Sequence, residues 1–208
     1  SGKTTTTMHI VVSLLNAGHR VATIDLDTRQ LSLSRYIENR QNWAKRNSVS
    51  LKHPDHFNLD RSHSDSVLEN ENSDLNLFSN IIQKVERSYD FIVIDTPGHD
   101  SYLMRLAHSM ADTLVTPLND SFIDFDVLGR IDPVSGELAD VSHYANMVRD
   151  ARRHRRNVDG GLLDWVVVRN RMAQLVSRNT VRVEEGLKNL AMKLGCRIAN
   201  GISERVVF

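Results

Sequence analysis

Two hundred and eight residues with 40% hydrophobic content are enough for one well-buried domain. The single cysteine, Cys196, excludes an internal disulfide framework and a Cys-x-x-Cys redox or zinc site, and it suits a reducing, cytoplasmic setting. The formal net charge is zero, and the longest apolar stretches fall far short of the ~18–20 residues a membrane-spanning helix needs, so no membrane span is expected. The neutral total hides an asymmetry. Residues 1–148 hold 13 Lys+Arg against 20 Asp+Glu, while residues 149–208 hold 13 against 6. Twenty of the 26 basic residues are arginine, the side chain best shaped to fork onto phosphate. An anionic partner for the C-terminal part is the expectation.

In chain order the first element is a loop opening a helix. Ser1-Gly2-Lys3-Thr4-Thr5 matches the back half of the G-x-x-x-x-G-K-[ST] phosphate loop. There, backbone N–H groups cradle nucleotide phosphates, the lysine reaches the β/γ-phosphates and the hydroxyl ligates Mg²⁺. The bland alternative is a polar helix start with Thr4–Thr7 as capping hydroxyls. A loop of this kind is fed by a β-strand, so the pattern predicts that the first glycines and the central strand of the sheet lie upstream of Ser1. The helix runs from Lys3 to about His19, with Met8, Val11, Val12 and Leu15 on one face and Gly18 at its end.

A strand over Arg20–Asp25 follows and ends in Asp25-Leu26-Asp27. Acids at the carboxyl end of a parallel strand sit where α/β sheets bind their ligands, and they suit a metal-water shell and an attacking water. Leu33, Tyr36, Ile37 and Ala44 predict a second helix over 31–46. Residues 48–73 are polar and without period, a surface excursion. Phe78, Ile81, Ile82 and Val85 mark a helix leading into the strand Phe91–Asp95, which ends Asp95-Thr96-Pro97-Gly98. Asp95 is placed to orient Mg²⁺ through a water, and Gly98 to sense a γ-phosphate.

A helix near 101–110, a strand Thr113–Leu118, an arginine-rich helix around 142–156 and a strand Trp165–Val168 come next. A last amphipathic helix carries Val183, Leu187, Leu190 and Leu194. The acids Asp120, Asp124 and Asp126 lack the ligand rhythm of a calcium loop and read as a loop near the active face or a dimer interface. Alternating helices and near-continuous apolar strands predict an α/β fold of the P-loop NTPase type, a mostly parallel twisted sheet covered on both faces. One domain over 1–208, shortened at its beginning and at its end, is expected. The basic run 149–156 is either a solvated face or, with Arg178 and Arg182 one turn apart, a stripe for phosphates. Within that stripe Arg152 and Arg153 are candidates for sequence-independent DNA contacts.

Three stretches carry a resemblance: Ile24-Asp25-Leu26-Asp27 with Arg29-Gln30, Asn119–Asp126 (NDSFIDFD) and Asp164–Arg171 (DWVVVRNR). With Asp95-Thr96-Pro97-Gly98 they make the chain resemble the ParA/MinD family of deviant-Walker ATPases, and within it the MipZ-like branch that positions the division plane. The likeness runs over nearly all 208 residues. It implies ATP and Mg²⁺ as cofactors. Lys3 and Asp27 become the catalytic residues, with Asp27 the acid needed for hydrolysis. Ser1, Gly2, Lys3, Thr4 and Thr5 hold the nucleotide phosphates, and Thr4, Asp25 and Asp95 serve the metal. Asn170 and Arg171 fall where the family reads adenine, and an Asn amide supplies the donor and acceptor that adenine's edge requires. For the arginines of Arg169-Asn170-Arg171 an exposed turn is an equal alternative.

The resemblance further implies a homodimer formed on ATP binding, non-specific DNA, a ParB-type centromere-binding protein and the tubulin-like division protein FtsZ as partners, with nucleoid and cell-pole association. The signature lysine of the deviant loop falls at the third position before Ser1. The alternatives are a ParA-type chromosome or plasmid partition ATPase, a non-hydrolysing nucleotide-gated scaffold, which intact Asp27 and Asp95 disfavour, and a small-molecule synthetase. Iron-sulfur relatives need paired cysteines that this chain lacks.

Overall fold

The computed structural model describes residues 2–59, 66–119, 122–131, 138–172 and 178–203, with the side chains of 122, 123, 131, 138 and 178–184 excepted. The chain divides into two compact units, Lys3–Ala107 and His108 onward together with Gly2.

The first unit begins with helix α1 (Lys3–Asn16), whose Met8, Val11 and Leu15 are buried as their spacing predicts. Gly18, at φ 95°, ends it: His19 N–H reaches Leu14 O (3.1 Å) and Gly18 N–H reaches Leu15 O (3.1 Å), the pair of back-bonds that a left-handed residue allows. The chain turns directly into strand β1 (Val21–Asp25), buried at all five positions. Helix α2 (Ser32–Arg46) inserts Leu33, Ile37 and Ala44, while Tyr36 stays exposed.

Strand β2 (Asp55–Asn58) is a departure from expectation, since it lies within the polar stretch 48–73. Polar Asp55-His56-Phe57-Asn58 can be a strand because it is an edge, parallel to β1 on one side only among the described residues. Helix α3 (Val67–Val85), capped by Ser66 Oγ accepting from Glu69 N–H, also starts inside that stretch and leads into strand β3 (Phe91–Asp95). The sheet order is β2-β1-β3, all parallel. Ile24, Leu26, Leu59, Phe78, Leu103 and Ala107 form its main core, and helix α4 (Tyr102–Met110) supplies the last two.

In the second unit strand β4 (Thr113–Asn119) pairs in parallel with strand β7 (Asp164–Asn170) over seven positions, and β7 with strand β8 (Arg197–Ala199). Pro117 has no N–H to give and is tolerated because β4 pairs on one side only among the described residues. Between β4 and β7 lie the short helix α5 (Phe122–Phe125), the antiparallel strands β5 (Gly129–Ile131) and β6 (Leu138–Val141), and helix α6 (His143–Asp159). Helix α7 (Arg178–Leu194) leads into β8. The short β5, β6 and β8 carry too little pattern to be read in advance. Trp165, Phe125, Leu128, Leu163, Leu187 and Leu190 make the core, each large side chain contributing roughly 1.5–3 kcal/mol of burial. Trp165 Nε1–H donates to Thr116 Oγ1 (2.9 Å), which also bonds the Tyr144 hydroxyl (2.8 Å), so the polar atoms of that core are paired.

Candidate functional site

The parallel register puts Asp25 of β1 directly opposite Asp95 of β3 at the carboxyl ends of their strands. Both are buried, and two neighbouring carboxylates out of water demand compensation. They receive it differently. Asp25 Oδ1 accepts the Asp27 N–H (3.0 Å), and Oδ2 accepts both the N–H (3.2 Å) and the hydroxyl (3.0 Å) of Ser34 in the first turn of α2. Its charge is bound up with its own loop.

Asp95 instead faces α1. Thr4 Oγ1 donates to its Oδ2 (2.7 Å) and Thr7 Oγ1 to its Oδ1 (3.4 Å). Burial pushes the Asp95 carboxyl above its ordinary range and the charge of Asp25 pushes the same way, against the Thr4 and Thr7 hydroxyls and the Lys3 cation. Lys3 Nζ lies where a Cβ on Gly98 would come within 3.3 Å, so glycine there leaves the ammonium its room. Asp27, half-buried, accepts the Gln30 N–H at Oδ1 (3.1 Å).

Lys3, Thr4, Asp25, Asp27, Asp95 and Gly98 therefore come together in one unit, as the sequence predicts. The hydrogen bonds within the cluster divide: Asp25 is bonded to its own loop, and Thr4 to Asp95. Hard oxygens beside an anion held in low dielectric fit a Mg²⁺ that takes its remaining ligands from water and phosphate. Among the described residues no group of three or more His, Cys, Asp or Glu side chains could hold a metal. Ser1 lies outside the described residues. Thr5 is in the first turn of α1.

The second unit holds the residues expected at the base. Asn170 ends β7 and is buried, and Arg171 follows at φ 54°. A Cβ on Gly2, whose φ is 74°, would lie 2.1 Å from Asn170 Nδ2, so only glycine fits against that amide. Asn119, at the end of β4, is the register partner of Asn170 and was not singled out by sequence. Its Oδ1 is buried with no hydrogen-bond donor among the described residues. The signal was available: an amide directly after an apolar strand, in both strands.

The basic run on α6 splits by face. Arg152 donates Nε to Leu163 O (3.2 Å), Nη1 to Leu194 O (3.1 Å) and Nη2 to Gly195 O (2.7 Å), and its guanidinium carbon lies 5.7 Å from the Trp165 ring centre. It ties off the carboxyl end of α7, a structural task where the sequence suggested DNA. Arg155 bonds Met110 O (2.6 Å) and pairs with Asp112 (2.7 Å) and Asp159 (3.1 Å). Arg149, Arg153 and Arg156 lie on an adjoining stripe of the helix and are exposed. Arg178 and Arg182 fall in α7, where their side chains are outside the described part; of the acidic loop, Asp120 is too. No described helix is long and apolar enough to cross a membrane.

The family described as ATPase MipZ matches residues 1–208. A comparison with curated protein sequences gives no match. Among solved structures, an ATP complex of McdA from Cyanothece is similar at 15% identity and TM-score 0.60, covering 98% of this chain and 79% of that one. A plasmid partition protein of Borrelia burgdorferi bound to AMPPNP is 18% identical with a TM-score of 0.57, covering 99% and 82%. MinC:MinD of Aquifex aeolicus gives 18%, TM-score 0.53, 98% and 77%. At these identities the likeness shows the fold, an open parallel α/β arrangement of the P-loop ATPase kind.

Proposed function

The chain belongs to the MipZ family of ATPases, and from that premise we propose that it is a slow ATPase whose nucleotide state pairs two copies into a DNA-binding dimer that positions cell division. The observation that carries the enzymatic part is the opposed pair Asp25 and Asp95, with the Thr4 hydroxyl at 2.7 Å from Asp95 Oδ2. Gly2, Lys3, Thr4 and Thr5 bind the phosphates at the positive end of α1, with Lys3 as a point charge on the terminal groups. Thr4 and Asp95 would hold a Mg²⁺, which would supply positive charge against the phosphates. Asp27 orients the attacking water. Asn170, with the unsatisfied Asn119 acceptor beside it in register, reads adenine. The McdA–ATP and AMPPNP-bound partition structures support a nucleotide on this fold.

The paired form binds DNA without sequence preference through Arg178, Arg182 and the exposed face Arg149, Arg153 and Arg156. One copy offers few phosphate contacts, and two copies on one duplex raise affinity through effective concentration. Membership of the MipZ family also supports a ParB-type protein and FtsZ as partners. In the test, Mg²⁺-dependent phosphate release is measured alongside a DNA titration against salt, with ATP and without it. Slow release from ATP, and DNA binding that needs ATP and weakens steeply with salt, are expected. DNA binding equal in the nucleotide-free protein, or sequence-selective and salt-insensitive, overturns the dimer reading.

A further inference from the structure

The loop between β1 and α2 is held more firmly than a connection of six residues requires. Asp25 clamps both its ends, through the Asp27 N–H and through Ser34. Inside it, Leu31 N–H donates to Asp27 O (2.8 Å) and Leu31 itself sits at φ 48°. A left-handed leucine persists only where its surroundings over-determine it. What over-determines this loop extends one layer further, into β2.

Ser34 Oγ lies 3.0 Å from Asp25 Oδ2, 3.0 Å from His56 Nε2 and 2.9 Å from Asn58 Oδ1. His56 Nδ1 lies 2.9 Å from Thr23 Oγ1. A hydroxyl has one proton to give, and an ionised carboxylate can only accept. The Ser34 proton faces two acceptors, Asp25 Oδ2 and Asn58 Oδ1, and Ser34 Oγ is left to accept from His56. A neutral ring supplies its Nε2–H to Ser34 Oγ, and the Thr23 hydroxyl, which also lies 3.4 Å from Asp55 O, donates to His56 Nδ1. Burial lowers the pKa of the imidazole against the pull of Asp25, which favours the neutral ring with its one N–H. Thr23, His56, Ser34 and Asp25 are thereby joined in one hydrogen-bonded chain.

We propose that His56 is a positioning residue for ATP hydrolysis, fixing through Ser34 and Asp25 the backbone of Asp27 and so the carboxylate that orients water. It touches neither phosphate nor metal. The inference rests on the reading of Asp27 as the hydrolytic acid, and its signature is a fall in kcat at unchanged KM, because the groups that bind the phosphates lie on a different segment, Gly2–Thr5.

The experiment uses the full-length protein and steady-state ATP hydrolysis. His56→Leu keeps the volume and removes the donor, and kcat should fall about tenfold with KM within about twofold of wild type. His56→Gln restores an N–H near the place of Nε2 and should recover kcat to within about threefold. Ser34→Ala should match His56→Leu, and the double variant should be no slower than the slower single one, since both cut the same chain. Should His56→Leu fail to fold, Thr23→Val and Ser34→Ala carry the same kcat and KM reading. Wild-type kcat in His56→Leu, equal losses in His56→Leu and His56→Gln, or a KM that rises in step with the loss of kcat would overturn the proposal. Asp27→Ala runs in parallel: undiminished phosphate release there sinks the reading of Asp27 itself, whereas an inactive Asp27→Ala with a fully active His56→Leu removes only the role of His56.

Discussion

The carboxyl ends of the two sheets are built alike and furnished differently. In the first unit the register sets aspartate against aspartate, Asp25 and Asp95; in the second it sets asparagine against asparagine, Asn119 and Asn170. Charge pairs in a buried place concentrate field and call for a cation, while amides present donors and acceptors without charge. The same backbone position thus carries charge in one unit and neutral amides in the other, which is the contrast the proposed metal and base sites rest on. The lesson is that side-chain charge at a strand end, and not the strand itself, assigns the chemistry.

The largest effect expected from breaking that contrast is at Asp95. Asp95→Asn gives the acidic end an amide and should cut phosphate release by at least about a hundredfold. Stability should move the other way. The folded carboxyl titrates above its ordinary value, so the native state holds more protons than the unfolded one, and stability declines as pH rises through that range. Without nucleotide, Asp95→Asn should therefore melt no lower than wild type near neutral pH and lose its relative advantage in acid; a melting temperature markedly below wild type at neutral pH would contradict this.

Asn170→Ala tests the amide end. Losing hydrogen bonds worth about 1–2 kcal/mol should weaken ATP binding about five- to thirtyfold and narrow the preference for ATP over GTP, while saturated phosphate release changes little. Equal losses for both nucleotides would argue that Asn170 acts on packing alone. A smaller pair of effects separates the two faces of α6. Arg152→Ala should lower stability by about 2 kcal/mol, through three orphaned carbonyls and a lost stack on Trp165, and leave the salt slope of DNA binding as it was. Arg153→Ala should do the reverse, flattening that slope by about one contact. The smallest effect is at Asp90, which pairs with Arg20 at 2.8 Å on the exposed edge and whose pKa falls to about 2. The pair's contribution is present above the ordinary carboxylate pKa and fades as pH falls toward about 2, so Asp90→Asn and wild type should differ slightly at neutral pH and converge in acid.

The sequence made the catalytic elements legible because they are the apolar ones. α1, β1, β3, β4 and β7 are runs whose period or continuity speaks without tertiary context, and Lys3, Thr4, Asp25, Asp27 and Asp95 sit at their ends. β2 was hidden because Asp55-His56-Phe57-Asn58 has the polarity of a loop and becomes a strand only beside β1. His56 and Ser34 were hidden for the same reason: their function is a hydrogen-bond chain that exists only after α2 and β2 have docked. The split of the arginine run was within reach. Arg152 and Arg155 are three apart and fall beside the buried positions Val148 and Ala151, whereas Arg149, Arg153 and Arg156 lie on an adjoining stripe.

The most direct test of the acidic end is Asp27→Ala, assayed for nucleotide binding and for phosphate release in a single turnover with Mg²⁺. ATP should bind within about threefold of wild type, because the proposed role of Asp27 is to orient water and not to hold phosphate, while release falls by about two orders of magnitude or more. Release at the wild-type rate, or loss of ATP binding together with loss of release, would contradict the account.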